Sequence, residues 1–352
     1  QRACAPHDLF FAPDPTSEEE CTVGGAIACN ASGPRTLRYG ATRRHVRALT
    51  VALADGSLYE ARRSQVEKNT VGYLAAHDPV DWFVGSEGTL GVVVEAEIAL
   101  LPLPPRVLGL GIPFATEAGA LAFIVAARQT TRVDPRCLEF FDAESFGIVR
   151  HAMDDDAWAP YAQAMVYTEE AGDREPPLDA WLSLAETHGA YDADVRAFDG
   201  EQALREARRL RHAAPAAMHE RAAPFLSQGG RRMSTDWAVP YPLAAAALAR
   251  ARRITAAHGL PDAVTYGHLG NGHPHQNFIA RDPAEVKKIE NALHETLRAV
   301  IAMGGTVAAE HGIGKVKSKW LGLQLDARQL AVMRALKREF DPQGRMAPGN
   351  IL

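Results

Sequence analysis

The feature that most constrains the fold of this chain is a short segment rich in glycine and histidine, residues 266–278, with the sequence YGHLGNGHPHQNF. Its glycines and its proline exclude a regular helix, because both residue types disfavour helix interiors. The chain must therefore reverse here, and the flanking residues predict a hairpin with strands over 263–266 and 276–280. Such a hairpin can make His268 and His275 cross-strand neighbours, with both rings on one face.

Two neighbouring histidines and one carboxylate form a three-ligand metal site with positions left open for substrate, which is typical of catalytic rather than structural zinc. The candidate third ligand is Glu310, at the end of a predicted turn and short strand over 304–310. Consecutive strand residues point to opposite faces, so His311 is not predicted as a ligand. An imidazole titrates near neutral pH, and His311 is therefore the candidate general base.

The composition excludes several classes of protein. The 352 residues are 47% hydrophobic and carry a net charge of −5, which provides apolar side chains for about two domains and no basic surface for a nucleic acid. No apolar run is long enough to span a bilayer. The four cysteines lack redox or metal-site spacing and are interpreted as reduced thiols. We expect a cytoplasmic protein, with peripheral contact with a membrane left open.

The amino-terminal third contains two glycine-rich segments. Residues 21–40 lack the G-x-G-x-x-G spacing of a Rossmann fold, but a loop of this composition can expose backbone N–H groups to a pyrophosphate. A second such loop, over 82–91, leads into a β-branched strand. Between them, alternating residues around an Asp-Gly pair predict two paired strands within 45–62. The proline-rich break at 101–105 predicts a domain boundary.

Strands and helices alternate from residue 105 onward. We predict strands over 107–114, 137–141 and 165–168 and helices over 117–129 and 178–188, a pattern that favours a ferredoxin-like α+β domain. Further helices are predicted over 204–220, 242–258, 284–303 and 327–340. The predicted fold class is therefore α+β.

Four segments, taken in chain order, resemble motifs of one enzyme family. Residues 21–39, 83–93, 268–278 and 310–314 are similar to the corresponding parts of FAD-linked oxidases and dehydrogenases of the vanillyl-alcohol-oxidase type. The resemblance is to the 2-hydroxy-acid branch, which contains D-lactate dehydrogenases, the flavin subunit of glycolate oxidase and D-2-hydroxyglutarate dehydrogenase. It covers nearly the whole chain, and the run FVGSEGTLG is its most specific part.

This resemblance implies a domain organisation. Residues 1–104 are expected to form the second half of a two-subdomain FAD-binding domain. Residues 105–325 are expected to form the substrate (cap) domain with the metal and catalytic residues, and residues 326–352 to return as a helix and tail to the FAD domain. The family's first FAD subdomain is not in this sequence, and Gln1 is not an initiator methionine. We therefore interpret the chain as a piece of a longer protein.

The resemblance also implies cofactor and substrate contacts. In the family, the two glycine-rich segments surround the FAD pyrophosphate and the flavin edge. The matching candidate FAD contacts are Gly24, Gly25, Asn30, Gly33, Tyr39, Gly40, Glu87, Gly88, Gly91 and Val92. Arg211 resembles the family's arginine that binds the substrate carboxylate, a role that suits a bidentate guanidinium. With a divalent metal (zinc, or else manganese or iron) on His268, His275 and Glu310, the implied reaction is hydride transfer from a D-2-hydroxy acid to FAD.

The sequence leaves three points open. His273 can be a metal ligand, a flavin contact or a structural hydrogen-bond donor. The electron acceptor can be a quinone, a cytochrome, an electron-transfer flavoprotein or oxygen. Two histidines and a carboxylate also describe a non-haem iron oxygenase or a zinc hydrolase, and a chain without the first FAD subdomain can be a catalytically incomplete fragment.

Overall fold

The computed structural model describes residues 1–73 and 78–352. The strands are β1 (Leu9–Phe10), β2 (Val46–Ala52), β3 (Leu58–Arg62), β4 (Val92–Ile98), β5 (Leu101–Pro102), β6 (Arg106–Phe114), β7 (Pro135–Asp142), β8 (Ala164–Gly172), β9 (Arg196–Asp199), β10 (Arg231–Ser234), β11 (Val264–His268) and β12 (His273–Ala280). The α-helices are α1 (Val23–Ala28), α2 (Thr36–Tyr39), α3 (Val80–Phe83), α4 (Glu117–Gln129), α5 (Ala143–Ala152), α6 (Leu178–Thr187), α7 (Gly200–Ala222), α8 (Ala244–Ala257), α9 (Pro283–Ala302), α10 (Leu321–Gln324) and α11 (Ala327–Phe340).

The chain divides into two compact units. The first unit contains Gln1–Leu103 and Ala308–Leu352, and the second contains Pro104–Val307. Residues 308–325, which the sequence assigns to the cap domain, thus lie in the first unit. The cofactor and substrate roles of the predicted domains stay predictions.

The first unit is built around an antiparallel sheet in the order β3-β2-β4. The predicted Asp-Gly turn joins β2 to β3, and the N–H of Ser57 donates to Asp55 Oδ1 there. One face of the sheet buries apolar side chains, among them Leu49, around Phe83. Phe340 at the end of α11 packs on this core, with its ring centroid 5.2 Å from that of Phe83.

The glycine-rich segment 21–40 forms two short helices, α1 and α2, instead of the predicted loop. Thr22 caps α1, because its hydroxyl oxygen accepts a hydrogen bond from Gly25 N at 3.0 Å. Asn30 follows α1 with a left-handed φ of 49°, and its side-chain oxygen accepts from Arg43 N at 2.9 Å. The loop prediction was wrong because it did not take into account the Thr22 cap at the start of α1 and the Asn30 contact that follows its end.

A buried carboxylate anchors the end of α11. Asp341 accepts hydrogen bonds from Lys337 Nζ, from Met346 N at 2.7 Å and from Arg345 N at 2.9 Å. Lys337 Nζ also donates to the carbonyl oxygens of Thr89 (2.7 Å) and Met346 (2.8 Å). Burial by itself would raise the pKa of Asp341, but the bonds from Lys337 and the two backbone amides outweigh it and lower that pKa from 3.8 to about 2.

The lowered pKa predicts how this anchor responds to acid. Because the folded-state pKa of Asp341 lies below the unfolded value of about 4, the carboxylate stabilises the fold above that pH. We expect its contribution to disappear as the pH falls from about 4 to about 2, and Asp341→Asn to lower the free energy of unfolding at pH 7 but not at pH 2. Denaturant titrations at a series of pH values measure this difference. Asp8→Asn, at an exposed position of the same unit, is the control, and an equal loss at both pH values would contradict the prediction.

The second unit is an antiparallel sheet with strand order β10-β12-β11-β7-β8-β6-β9. Helices α5 and α7 pack on one face, in a core that includes Phe141, Tyr266 and Leu210. Antiparallel strands covered by helices confirm the predicted α+β class. Helix α4 begins where the sequence predicts, because the hydroxyl of Thr116 caps it through Gly119 N. Among the described residues, no helix has the length and apolar character needed to cross a membrane.

Candidate metal and substrate site

The segment rich in glycine and histidine forms the predicted hairpin, from β11 and β12. Its antiparallel register places His268 directly opposite His273, with His275 two residues further along β12. Four residues, 269–272, join the strands, and Gly272 takes a left-handed φ of 71°. His268 and His275 are therefore diagonal rather than direct cross-strand neighbours, because both strands extend further into the glycine-rich segment than predicted.

Three imidazoles cluster on one face of this hairpin. The ring centroids of His268 and His273 are 5.6 Å apart, those of His268 and His275 are 5.4 Å apart, and those of His273 and His275 are 4.4 Å apart. Each ring offers a nitrogen, and these nitrogens lie within 4.8 Å of one another. All three side chains are buried. A group of convergent, buried imidazole nitrogens is suited to binding a metal ion.

Two of these rings are oriented through their Nδ1 atoms. His268 Nδ1 lies 2.8 Å from each carboxylate oxygen of Glu139, and His275 Nδ1 lies 3.2 Å from the backbone carbonyl oxygen of Thr235. Since a carbonyl oxygen can only accept and a carboxylate oxygen is an acceptor for an imidazole N–H, Nδ1 is the donor in both rings, and Nε2 is the nitrogen that each ring can turn toward a metal. Outer partners of this kind orient the histidine ligands of metal sites. The donor set therefore fits a divalent metal such as zinc.

The third ring has a different partner. His273 Nε2 lies 3.2 Å from Asp236 Oδ1, and the Asp236 side chain is fully buried. This contact ties β12 to the segment that follows β10. The three roles that the sequence leaves open for His273 stay open, because its ring nitrogen also converges with those of His268 and His275.

The turn between the histidines is held from outside the hairpin. The guanidinium of Arg128, at the end of α4, donates to the carbonyl oxygen of Gly270 and lies 4.3 Å from the ring centroid of Tyr241. A side chain at Gly272 is excluded, because its Cβ would lie 2.0 Å from the carbonyl oxygen of Val239. These contacts fix the backbone between His268 and the second strand.

The other predicted metal and catalytic residues, Glu310, His311 and Arg211, lie outside this hairpin. Residues 304–310 form turns and bends with one isolated bridge at Thr306, so the predicted strand is wrong and the alternation of faces does not apply to His311. Glu310 is half-buried and His311 is exposed in the first unit. Arg211 lies in α7, and its side chain is outside the described part of the structure. The roles of these three residues stay predictions.

Glu87, a candidate FAD contact, supports the backbone after His311. Its carboxylate accepts from Ile313 N at 2.6 Å and from Gly314 N at 2.7 Å. A Cβ at Gly312 would lie 2.6 Å from Glu87 Oε1, so this turn requires glycine. The structure thus gives the Glu87 side chain a local structural role within the first unit.

The candidate FAD glycines differ in what surrounds them. A Cβ at Gly33 would lie 2.3 Å from Asp14 O, and one at Gly91 would lie 2.5 Å from Val51 Cγ1, so close packing accounts for both. At Gly88, no atom of the described residues beyond the glycine's own chain neighbours lies within 4 Å of the Cβ position, which is compatible with the close approach of a phosphate to the backbone. The remaining candidates lie in or beside short elements of the first unit: Gly24 and Gly25 in α1, Asn30 after it, Tyr39 at the end of α2, Gly40 next to it, and Val92 at the start of β4.

The sequence did not identify the residues that orient the histidines. Glu139 lies in β7, and its side chain is buried. The sequence could have indicated a buried polar role for Glu139, because it is the charged residue within the otherwise apolar run 137–141. Thr235 acts through its backbone carbonyl, and Asp236 follows it; no pattern in the sequence distinguishes these two from other polar residues.

Two family models match the chain. The C-terminal domain of FAD linked oxidases matches residues 103–351, and an FAD binding domain matches residues 1–62. The two matches together agree with the order of the four motifs.

Known proteins resemble the chain over nearly its whole length. The glycolate oxidase subunit GlcD of Bacillus subtilis (strain 168) is 30% identical and covers 99% of this chain and 72% of the relative. The D-lactate dehydrogenase of Archaeoglobus fulgidus is 30% identical, over 98% of this chain and 73% of the relative. The D-2-hydroxyglutarate dehydrogenase of Xanthomonas citri pv. viticola is 31% identical, over 97% of this chain and 71% of the relative.

A solved structure shares the fold. An alkyldihydroxyacetonephosphate synthase matches with a TM-score of 0.67 at 17% identity, over 99% of this chain. The chain spans 61% of the length of that protein. At this identity the likeness concerns the fold alone.

Proposed function

Since this chain belongs to the family of FAD-linked oxidases, in the group of 2-hydroxy-acid dehydrogenases and oxidases, we propose that it oxidises a D-2-hydroxy acid to the corresponding 2-oxo acid. The observation that supports this activity most directly is the buried cluster of His268, His273 and His275. Two of its rings donate hydrogen bonds from Nδ1, His268 to the Glu139 carboxylate and His275 to the backbone carbonyl oxygen of Thr235. Outer partners of this kind orient the histidine ligands of metal sites, which supports the assignment of a metal to this cluster.

The residues proposed to hold the metal are His268, His275 and Glu310, with zinc as the metal and manganese or iron as alternatives. The FAD contacts proposed for the glycine-rich segments of the first unit include the open backbone at Gly88. When bound, the metal supplies Lewis acidity to the substrate hydroxyl, and FAD supplies a two-electron acceptor for the hydrogen on C2.

The protein's own side chains would orient the substrate and move one proton. We propose that the imidazole of His311 accepts the proton of the substrate hydroxyl, because imidazoles act as general bases near neutral pH. We assign the substrate carboxylate to the guanidinium of Arg211, whose two parallel N–H donors match two carboxylate oxygens. Glu87 holds the turn after His311 through Ile313 N, which would keep the base in place.

The proposal is tested on the flavin itself. The protein is expressed from its complete open reading frame, and its visible spectrum and metal content are recorded before and after addition of D-lactate, glycolate or D-2-hydroxyglutarate. We expect one of these acids to bleach the flavin band, and prior chelation of the metal to prevent it. Reoxidation with a quinone, a cytochrome, an electron-transfer flavoprotein or oxygen then identifies the electron acceptor.

One outcome would overturn the proposal. A protein that binds metal through the histidine cluster but holds no flavin would instead support a zinc hydrolase or a non-haem iron oxygenase.

A further inference from the structure

A positive charge without a carboxylate partner lies near the histidine cluster. Arg232 in β10 donates from Nε (2.9 Å) and Nη2 (2.7 Å) to the side-chain oxygen of Asn277, and from Nη2 to the hydroxyl of Tyr266 at 3.1 Å. Its Nη1 lies 2.8 Å from His219 Nε2. None of these partners is a carboxylate, and among the described residues no carboxylate lies within ion-pair distance of Arg232.

The strand register puts this guanidinium on the histidine face of the sheet. Arg232 is opposite Ile279, and Asn277 is two residues along β12 from His275. Side chains two residues apart on a strand share a face and are separated by about 7 Å. Tyr266, which accepts from Arg232, has its ring centroid 5.9 Å from that of His275. The guanidinium and the imidazoles are thus neighbouring polar groups on one surface.

The contacts of Arg232 orient its charge without neutralising it. The Arg232 side chain is half-buried, Asn277 and Tyr266 are buried, and His219 is exposed. Partial removal of a cation from water costs free energy that a neutral amide and a hydroxyl recover only in part. The contact with His219 uses one N–H of Nη1, so the second N–H of Nη1 can still donate a charge-assisted hydrogen bond to an anion.

We propose that Arg232 binds a second carboxylate of the substrate, carried on the side chain of the 2-hydroxy acid. This inference rests on the proposed function and narrows it to short 2-hydroxy dicarboxylates, of which D-malate and D-2-hydroxyglutarate are examples. The hydrogen bonds from Arg232 to Asn277 in β12 give the spacing between the two groups. The 2-hydroxy-acid group would lie at the histidines, and the second carboxylate would lie about two strand residues away.

The kinetic test compares a dicarboxylate with a monocarboxylate. We expect Arg232→Gln to lower the ratio of kcat/KM for D-2-hydroxyglutarate to that for D-lactate by about tenfold, mainly through KM, because one charged hydrogen-bonded contact is lost. Arg232→Lys keeps the charge and should retain part of this preference. Arg231→Gln is the matched control. Its side chain is half exposed and pairs with Glu290 at 3.3 Å, and as the next residue on the strand it points to the opposite face. An unchanged ratio in Arg232→Gln would overturn the proposal.

A binding experiment separates this proposal from the proposed function. Zinc-loaded protein is titrated calorimetrically with 2-oxoglutarate and with pyruvate, and neither titration requires flavin reduction. Tighter binding of 2-oxoglutarate, lost in Arg232→Gln and partly restored in Arg232→Lys, would support the second carboxylate site even if no 2-hydroxy acid bleached the flavin. Equal binding of the two acids would refute it even if D-lactate did bleach the flavin. Thermal unfolding of each variant identifies any that fail to fold.

Discussion

His268→Ala and His275→Ala, made separately, are each expected to abolish stable metal binding and to lower kcat/KM by roughly 10³-fold. Each substitution removes a buried imidazole whose Nδ1 partner orients Nε2 as a donor. A bound metal contributes several kcal/mol of charge stabilisation to such a reaction, and each 1.4 kcal/mol corresponds to a factor of ten in rate. Metal content after dialysis, together with the initial rate of flavin reduction by the preferred hydroxy acid, measures both effects.

His188→Ala is the matched control for these two variants. His188 lies in the same unit and is half-buried, and its Nδ1 bonds to a backbone carbonyl, that of Leu184, at 2.8 Å. His188 therefore has the same kind of Nδ1 contact as His275, but it is not part of the histidine cluster. We expect its metal content to equal that of the unmodified protein. Full metal content in both cluster variants would contradict the assignment of the metal to the hairpin.

Local sequence signals predicted much of the fold. Helices over 117–129 and 327–340 match α4 and α11 residue for residue, because Thr116 and Asp326 cap them and a capping residue is visible in the sequence. The hairpin was predictable for a similar reason, since glycine and proline exclude the helical alternative.

The register of the hairpin was not predictable from the same signals. Every residue from His273 to Phe278 is buried, so the segment has no alternation between apolar and polar residues to mark one face. Strand ends within a buried glycine-rich segment are set by the turn, here closed by Gly272 at a left-handed φ. The direct partner of His268 therefore emerged only from the structure.

The outer partners of the histidines were also beyond the sequence. Glu139 is separated from His268 by 129 residues, and Thr235 from His275 by 40. The strand order brings these residues together in space, because β11 lies between β7 and β12, and β12 lies between β11 and β10. Sequence periodicity indicates that a strand exists but not which strands are neighbours.

Glu139→Gln provides a second test of the metal site, through a residue that does not bind the metal itself. The carboxylate contacts His268 Nδ1 through both oxygens. The amide of a glutamine would keep one acceptor oxygen for Nδ1, but it would lack the negative charge that makes the imidazole a more basic metal ligand. We expect metal affinity to fall roughly 10- to 100-fold, the usual effect of removing such an outer partner. A competition titration against a chelator of known affinity measures it.

A second buried carboxylate of the same sheet separates this effect from a general loss of stability. Glu169 in β8 is as buried as Glu139, but it bonds to Arg136 (2.7 Å) instead of a histidine. Glu169→Gln would leave Arg136 buried without its charge partner and should lower the unfolding temperature more than Glu139→Gln does, while its metal affinity stays at the level of the unmodified protein. If Glu139→Gln lowered stability but left metal affinity unchanged, the carboxylate would be a structural partner of His268, and the histidine cluster would lose its strongest support as a metal site.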